Sequence, residues 1–442
     1  MTLAICLILK DSLTLRAVPR ALKRFFSHLP SFDIIKTGSH STLSRWIKRV
    51  GLYKLLCPLE KADDWTLLAD HSIMIGAKKC LFILGVRLTT LKTCIKEKRA
   101  LCFEDVEPIL MEFSETSNAT IVNQALKKAE ERIGRVSQIC SDQGPDLYAG
   151  IRLFQEEALK IDGRKVSFMP DISHKVANLL KAQLEENEEW KRFVAKAAKS
   201  KLKFQLSEAA FLCSPNQRSK ARFMNLDELV GWGKNILDAF KNESDKKNVK
   251  LLKKFAWVKD YEAMILEISE LLLVAGIARH KIRTECITKD TYRELEKEFF
   301  ALKIGHSTCQ FVGELLDFIE KFAVDMKEGE IFLGSSEILE SLFGKLKNLI
   351  NEDSKRGFTP FALSAAACLG KLDVNVVQQA IETVSDKQVK EWCLANIGET
   401  LISLRRRVFK SIKTAKIPNI PLVQNKMGQN LAGFIEKGLK AA

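Results

Sequence analysis

The sequence predicts an α+β fold, and three observations carry that expectation. Two strand-like runs, Trp65 to Gly76 and Cys80 to Leu88, stand either side of Ala77-Lys78-Lys79 and read as a hairpin. Helical and strand signals then alternate between about 107 and 170, as they do when a sheet grows by crossover connections. From about 181 onward strand signals vanish and long amphipathic helices rich in Glu and Lys take over. At 442 residues, 46% of them hydrophobic, the chain has room for two to three domains with a sizeable core.

Residues 1–60 are basic and helical: Lys10, Arg16, Arg20, Lys23, Arg24, Lys36 and Lys54 are among cations opposed only by Asp11, Asp33 and Glu60. Ser12 to Phe26 is expected to form a helix, followed by a turn-rich piece with Pro30 and Gly38. Ser39 or Ser41 then caps a second helix, TLSRWIKRVGLYKLL. Its Arg45, Lys48 and Arg49 lie about a turn apart, with Leu43, Trp46, Ile47 and Val50 on the packing side. That is the pattern of a helix-turn-helix recognition helix, although the connector is longer than the usual tight turn and a solvated basic helix has the same spacing.

Residues 61–180 continue from the hairpin with a third strand, Pro108 to Phe113. Ser117 or Asn118 caps the helix ATIVNQALKKAEERI, which Gly134 closes. The strand Arg135 to Cys140 ends at Ser141-Asp142-Gln143-Gly144-Pro145. A helix from Leu147 to Lys160 leads to the strand Lys165 to Met169; Pro170 stops it and Asp171 starts the next helix. Residues 181–330 read as an all-helical insertion, and residues 331–415 as further helices ending in Arg405-Arg406-Arg407. Residues 416–442, with Pro418 and Pro421, read as a linker and tail.

A formal charge of +15 calls for a polyanionic partner, nucleic acid first and a membrane surface second. The 11 cysteines are scattered without a C-x-x-C pair, which argues against zinc ribbons and disulfide scaffolds and suits a reducing compartment. Leu3 to Leu9 is apolar but too short to span a bilayer, and Ile265 to Ala278 is interrupted by Glu267, Ser269 and Glu270. The expectation is a soluble, cytoplasmic, nucleoid-associated protein with no membrane partner.

Three acidic positions stand out. Asp70 lies in an otherwise apolar strand, where a carboxylate is costly unless paired or bound to metal, or placed at a solvent edge. Asp142 lies at a strand end, where ligands and catalytic groups gather in sheets of this kind, but where turn and cap aspartates also occur. In the late helix, residues 339, 342, 346 and 349 form an apolar stripe, while Glu337, Glu340, Gly344 and Lys347 form a separate face. Such a face could serve a metal and a phosphate together; a solvated Glu/Lys face has the same spacing. Gly344-Lys345 is not a P-loop, because Leu346 replaces Ser/Thr and position 339 is not glycine. In the insertion, Arg218 and Arg222 form a basic patch near Trp232, and Arg279, His280, Lys281 and Arg283 form another. Basic residues there could track phosphate and Trp232 could stack on an unpaired base, or Trp232 packs in a helical core.

Together, Ala69-Asp70-His71, Ser141-Asp142-Gln143-Gly144, Asp171-Ile172-Ser173-His174-Lys175 and Ser335 to Lys347 resemble the DDE transposases of bacterial insertion sequences, over roughly residues 10–410. The resemblance implies an RNase H-like mixed sheet with a large all-helical insertion, preceded by a basic helix-turn-helix and followed by helices. It makes Asp70 and Asp142 paired metal ligands and Glu340 the third carboxylate, with Glu337 one turn away as the alternative. Glu340 is preferred because related families place their Glu before a small residue with a Lys later, as in Glu340-Ser341 with Lys347. Asp171 and His174 match a D-x-x-H motif that gives His174 an assisting role on the scissile phosphate or a carboxylate; a capping Asp with a packed His fits the same residues. His71 points to the other strand face and is expected to be structural. Arg45, Lys48, Arg49, Arg218, Arg222, Lys345 and Lys347 become candidate DNA contacts.

The implied chemistry is phosphoryl transfer with two Mg²⁺ or Mn²⁺ ions per site: cleavage at the element's ends, then attack of the freed 3′-hydroxyl on target DNA. Clustered carboxylates repel one another, so full ionisation at neutral pH should require the metal. The implied partners are double-stranded DNA, as element ends and target, and a second copy of the chain in a synaptic homodimer or larger assembly. The alternative is a sequence-specific DNA-binding protein, a repressor, with an inactive transposase-derived core. A helical scaffold with an incidental basic surface is a third reading.

Overall fold

Near-continuous apolar runs in the early strands, as from Cys80 to Val86, allow one sheet to bury both faces, and a single five-stranded sheet forms. The computed structural model describes residues 1–28, 38–73, 78–216, 223, 226–241, 246–350 and 357–414. Strands β1 (Ala62–Ile73), β2 (Lys79–Arg87) and β3 (Glu107–Ser114) are joined antiparallel, and β4 (Gly134–Ser141) and β5 (Ser167–Pro170) extend β1 in parallel, giving the order β3-β2-β1-β4-β5. This mixed arrangement is consistent with an RNase H-like core. Pro170 sits within β5 rather than after it, as an edge strand permits.

Helices α1 (Thr2–Leu9), α2 (Ala17–Ser27) and α3 (His40–Leu56) precede the sheet. Leu3 to Leu9 is thus part of a helix, whose Ile5 and Ile8 are buried. The helix expected from Ser12 begins five residues later, at Ala17, because Ser12 adopts a left-handed φ of 59° that interrupts it. Ser39 caps α3 by accepting from the Thr42 N–H. After α4 (Leu88–Lys96), helices α5 (Ala119–Ile133) and α6 (Pro145–Asp162) form the crossovers. Asn118 caps α5, and Pro145 opens α6 at a position where no N–H is needed. Gly134 ends α5 at φ 95°, and a Cβ there would lie 2.5 Å from the Ala62 carbonyl oxygen, so the helix-to-strand turn requires glycine.

One sheet face packs Leu67, Ala69, Ile83, Val136 and Ile139 against α5 and α6. The other packs Leu68, Phe82, Leu84 and Cys140 against α14 (Glu337–Ile350) and α15 (Leu363–Cys368). Between them in the chain, α7 (Ile172–Leu184), α8 (Glu188–Phe204), α9 (Asp227–Lys241), α10 (Lys246–Leu252), α11 (Glu262–Glu285), α12 (Thr291–Phe300) and α13 (His306–Ala323) build a separate apolar core. Trp232 belongs to that core: its indole N–H donates to the Leu212 carbonyl at 2.8 Å and its ring lies 6.1 Å from Phe193. The helices return to the sheet through a bridge between Ile287 and Phe332.

Helices α16 (Val374–Thr383) and α17 (Asp386–Asn396) complete the first compact unit, Met1–Ile397. The second unit begins at Gly398 and is described as one helix, α18 (Leu401–Thr414), with an Arg407–Glu399 ion pair at 2.8 Å. Among the described residues no helix is long and apolar enough to cross a membrane.

Candidate active site

Strand alternation places the first two carboxylates. Leu68 faces the α14 side of the sheet, so Asp70 two residues on does too, and Cys140 carries Asp142 to the same side. Ala69 pairs in register with Ser141 on the neighbouring parallel strand, which sets Asp70 and Asp142 side by side at the carboxyl ends of β1 and β4. Asp70 accepts from the backbone N–H of His71 at 2.6 Å, and Asp142 accepts from that of Gly144 at 3.0 Å. Each carboxylate therefore keeps one oxygen without a hydrogen-bond partner among the described residues. Burial, and then the Asp142 charge beside it, push the Asp70 carboxyl up to about 7. His71 turns to the opposite face, as expected, where its ring bonds Ser117 at 3.0 Å and stands 3.8 Å from Asp146.

The third carboxylate depends on how α14 is seated. The segment before it is fixed by Gln138, a buried amide on β4 that donates to the Leu333 carbonyl at 2.9 Å and accepts from the Leu333 N–H at 3.0 Å. The Ile172 N–H donates to the Gly334 carbonyl at 2.9 Å. Asp171, 1% exposed, caps α7 through the N–H groups of Ser173 and His174 and accepts from both the N–H and hydroxyl of Ser336 with its other oxygen. One buried carboxylate thus ties the starts of α7 and α14 together. Burial alone would raise its pKa, but His174 and Ser336 hold it below the ordinary carboxylate range. With four donors it is fully occupied as a structural clamp.

Helix α14 buries Leu339, Leu342 and Leu346 on the sheet, as the apolar stripe requires, and turns Glu337, Glu340, Gly344 and Lys347 outward. The two glutamates meet different surroundings. Glu337 accepts from the Ser173 hydroxyl at 2.9 Å and pairs with Arg283 of α11 at 3.0 Å, so both its oxygens are engaged. Neither Glu340 oxygen has a hydrogen-bond or ion-pair partner among the described residues. Burial, opposed by His174 and reinforced by Asp171 and Glu337, raises its pKa. Glu340 also adds to the upward shift of Asp70, so the three carboxylates share one electrostatic neighbourhood.

His174 supplies the cation of that neighbourhood. Its Nδ1 lies 3.7 Å from Asp171 Oδ1, and the Asp171 carboxylate, aided by Glu340 and Asp142, raises its pKa to about 9. The surrounding carboxylates favour the protonated imidazole, although its buried Nδ1 makes no hydrogen bond at that distance.

The basic residues singled out in the sequence fall elsewhere. Arg45 pairs with Asp386 of α17 at 3.3 Å. Arg49 donates to the Val384 and Ile381 carbonyls, and burial lowers the Lys48 ammonium. Buried Leu43, Ile47 and Val50 seat α3 against the C-terminal helices, and a Cβ on Gly51 would lie 2.0 Å from the Leu363 carbonyl oxygen. The structure does not present α3 as a free recognition helix, because its cations serve its own neighbours. On α2 and its cap, Arg16, Arg20, Lys23 and Arg24 are exposed and share one face, a pattern legible as i, i+4, i+7, i+8; Arg20 donates to the Arg16 carbonyl at 3.1 Å, and Arg45 of α3 is exposed as well. Lys345 donates to the Lys10 carbonyl at 3.2 Å and lies over Phe103, whereas Lys347 is exposed. Arg218 and Arg222 lie outside the described residues.

The donor chemistry of the corner, carboxylate oxygens on rigid elements, suits a hard divalent ion. Among the described residues no three His, Cys, Asp or Glu side chains stand close enough to hold one as they are placed. The three are electrostatic neighbours; Asp70 and Asp142 rest on nearby backbone N–H groups, and Glu340 has no such partner among the described residues.

No family model and no curated protein matches the chain. Among solved structures, a Drosophila P element transposase strand transfer complex aligns over 94% of this chain and 86% of that one, at 13% identity and a TM-score of 0.29. A likeness at that level says nothing about the chemistry, and the site is read from its own geometry.

Proposed function

We propose that this chain is a DNA-processing enzyme that transfers phosphoryl groups, and in particular a DDE-type transposase. The observation that carries the reading is the convergence of Asp70, Asp142 and Glu340 at one corner from elements nearly three hundred residues apart in sequence, two of them on adjacent parallel strand ends.

In this reading Asp70, Asp142 and Glu340, once turned toward one another, would hold Mg²⁺ or Mn²⁺, two ions per site, and the metal would supply activation of a water or 3′-hydroxyl and charge compensation at the leaving oxygen. Asp70, with its pKa near 7, gives up its proton as the site is loaded. Protonated His174 offers positive charge to the scissile phosphate beside the carboxylates. Ser173 and Arg283 restrain Glu337, which leaves Glu340 as the third ligand. The exposed cations of Arg16, Arg20, Lys23 and Arg24 track the DNA backbone, in place of α3. The substrates are element ends and target DNA, and pairing two ends requires at least a dimer.

A DNA-binding protein with an inactive core, acting as a repressor, is the second reading, favoured by the absence of three ligating groups within reach among the described residues. The test is metal-dependent cleavage of the DNA flanking the gene, screened for inverted repeats. Cleavage that disappears in Asp142→Asn supports the transposase. Cleavage that survives that substitution refutes the assignment of the site, and specific binding without cleavage selects the repressor.

A further inference from the structure

Helix α18, in the second compact unit, carries different chemistry on its two sides. At 3.6 residues per turn, Leu401, Leu404 and Val408 stand at i, i+3 and i+7 and fall on one stripe about 60° wide. These side chains are 37%, 40% and 47% exposed, so the stripe is open. Arginines stand at both of its edges. On one side Arg405 lies over the Phe409 ring, 5.5 Å from its centroid. On the other, Arg407 pairs with Glu399 at 2.8 Å and is still 68% exposed. Arg406 falls on the opposite side of the helix. From Leu401 to Lys410 the sequence holds Arg405, Arg406, Arg407 and Lys410 and no acidic residue.

Width and charge select what can cover such a stripe. A helix lying on a bilayer sinks a broad apolar face among the lipid chains, whereas here arginines narrow that face from both edges. A second copy of α18 would set like charges against one another. Residues 415–442 bring no complementary charge, since Lys416, Lys426, Lys437 and Lys440 outnumber Glu436. Duplex DNA would pair with the arginines but give the leucines no apolar floor. What fits is a groove with an apolar floor and carboxylates along its rims, which takes an amphipathic helix by anchors at this spacing. Acidic EF-hand proteins expose such a groove when calcium opens them. We infer that α18 is the docking helix for an acidic partner protein of this calcium-opened class. Leu401, Leu404 and Val408 are its anchors, and Arg405 and Arg407 meet the rims. The inference does not depend on the reading of the acidic corner.

The probe is dansyl-labelled calmodulin, titrated with the full chain once in calcium and once in EDTA. Its carboxylates are present in both conditions and its groove is open only in calcium, so the pair separates docking from charge attraction. Burial of three anchors should tighten binding in calcium by about a hundredfold or more. Leu404→Gln keeps a good helix former on an exposed face and should weaken that binding about tenfold. Arg406→Gln, on the far side, should stay within about twofold. Equal binding in calcium and EDTA overturns the docking helix, and so does calcium-dependent binding that survives Leu404→Gln unchanged. Phosphatidylserine vesicles and a DNA duplex are titrated alongside. Binding to either that Leu404→Gln weakens, with no binding of calmodulin, assigns α18 to that surface and also overturns the proposal. No arm of the experiment measures cleavage, so the docking helix and the transposase reading stand or fall separately.

Discussion

The acidic corner at the ends of β1 and β4 and the basic flank of α3 are both charged clusters on well-packed elements, but the fold treats them in opposite ways. The α3 cations are given partners: Arg49 finds two carbonyls, Arg45 an aspartate, and Lys48 a half-buried place beside α17. The carboxylates are brought together by the fold, and Asp70 is left with an elevated pKa. Clusters satisfied by their own protein stabilise it. Clusters held in mutual repulsion cost stability, and that cost is offset by a ligand or not at all. The charge pattern alone does not say which is which.

Four measurements would break or sharpen that contrast. The largest effect should come from the acidic corner: Glu340→Gln should lower metal-dependent cleavage about 10²- to 10³-fold, the loss expected when a group that stabilises the transition state is removed. Glu337→Gln should stay within roughly tenfold, since its partners are Ser173 and Arg283. The reverse order in single-turnover assays would reassign the third carboxylate.

Next, Arg49→Ala should destabilise the protein by about 2–3 kcal/mol, because two half-buried carbonyls lose a charged donor. Urea unfolding measures it, and a loss under about 0.5 kcal/mol, the range of an ordinary surface substitution, would mean that α3 is not held as described.

The acidic corner should respond to pH in the opposite sense to an ordinary ion pair. Asp70 rises from 3.8 to about 7 on folding, so between those values the folded state holds a proton that the unfolded state has lost. Stability of the metal-free protein should therefore fall as pH rises from about 4 to about 7 and level off above. Asp70→Asn should remove that contribution and be more stable at a pH of about 8, by on the order of 2 kcal/mol. Thermal melts across the range decide it; a slope unchanged by the substitution would show that Asp70 does not titrate there.

The smallest effect in free energy, though a direct one, concerns α2. Replacing Arg20, Lys23 and Arg24 by Ala should leave the melting temperature within a degree or two, as befits exposed side chains. It should flatten the dependence of log K on log salt for duplex DNA by about 0.9 for each phosphate that is no longer neutralised. If instead the slope is sensitive to Arg45→Ala, the recognition-helix expectation returns.

Much of the core was legible in the sequence. The hairpin at Asp70, the strand before Asp142 and the helices capped by Asn118 and Asp171 all rest on signals spread over a few neighbouring residues. Those signals are periodicity, caps and breakers, and they act locally. The start of α2 was misplaced because the left-handed turn at Ser12 has no strong residue signature. Gln138 was missed, although an amide inside the apolar strand RVSQIC was a sign that a backbone partner would be required. Arg283 carried no such sign, since its partner Glu337 lies on another helix more than fifty residues away.

By itself the sequence determined the elements, their order, and which acidic residues stand at strand ends or on an outward helix face, because each follows from the backbone preferences of adjacent residues. The tertiary structure alone decided that Glu337 is tied down while Glu340 has no partner among the described residues, that Arg49 is held by carbonyls of the C-terminal helices, and that Trp232 packs half-buried against the helical core. Each of these depends on which groups meet through space. A charge or ring has the same signature in the sequence whether the fold supplies it with a partner or leaves it without one.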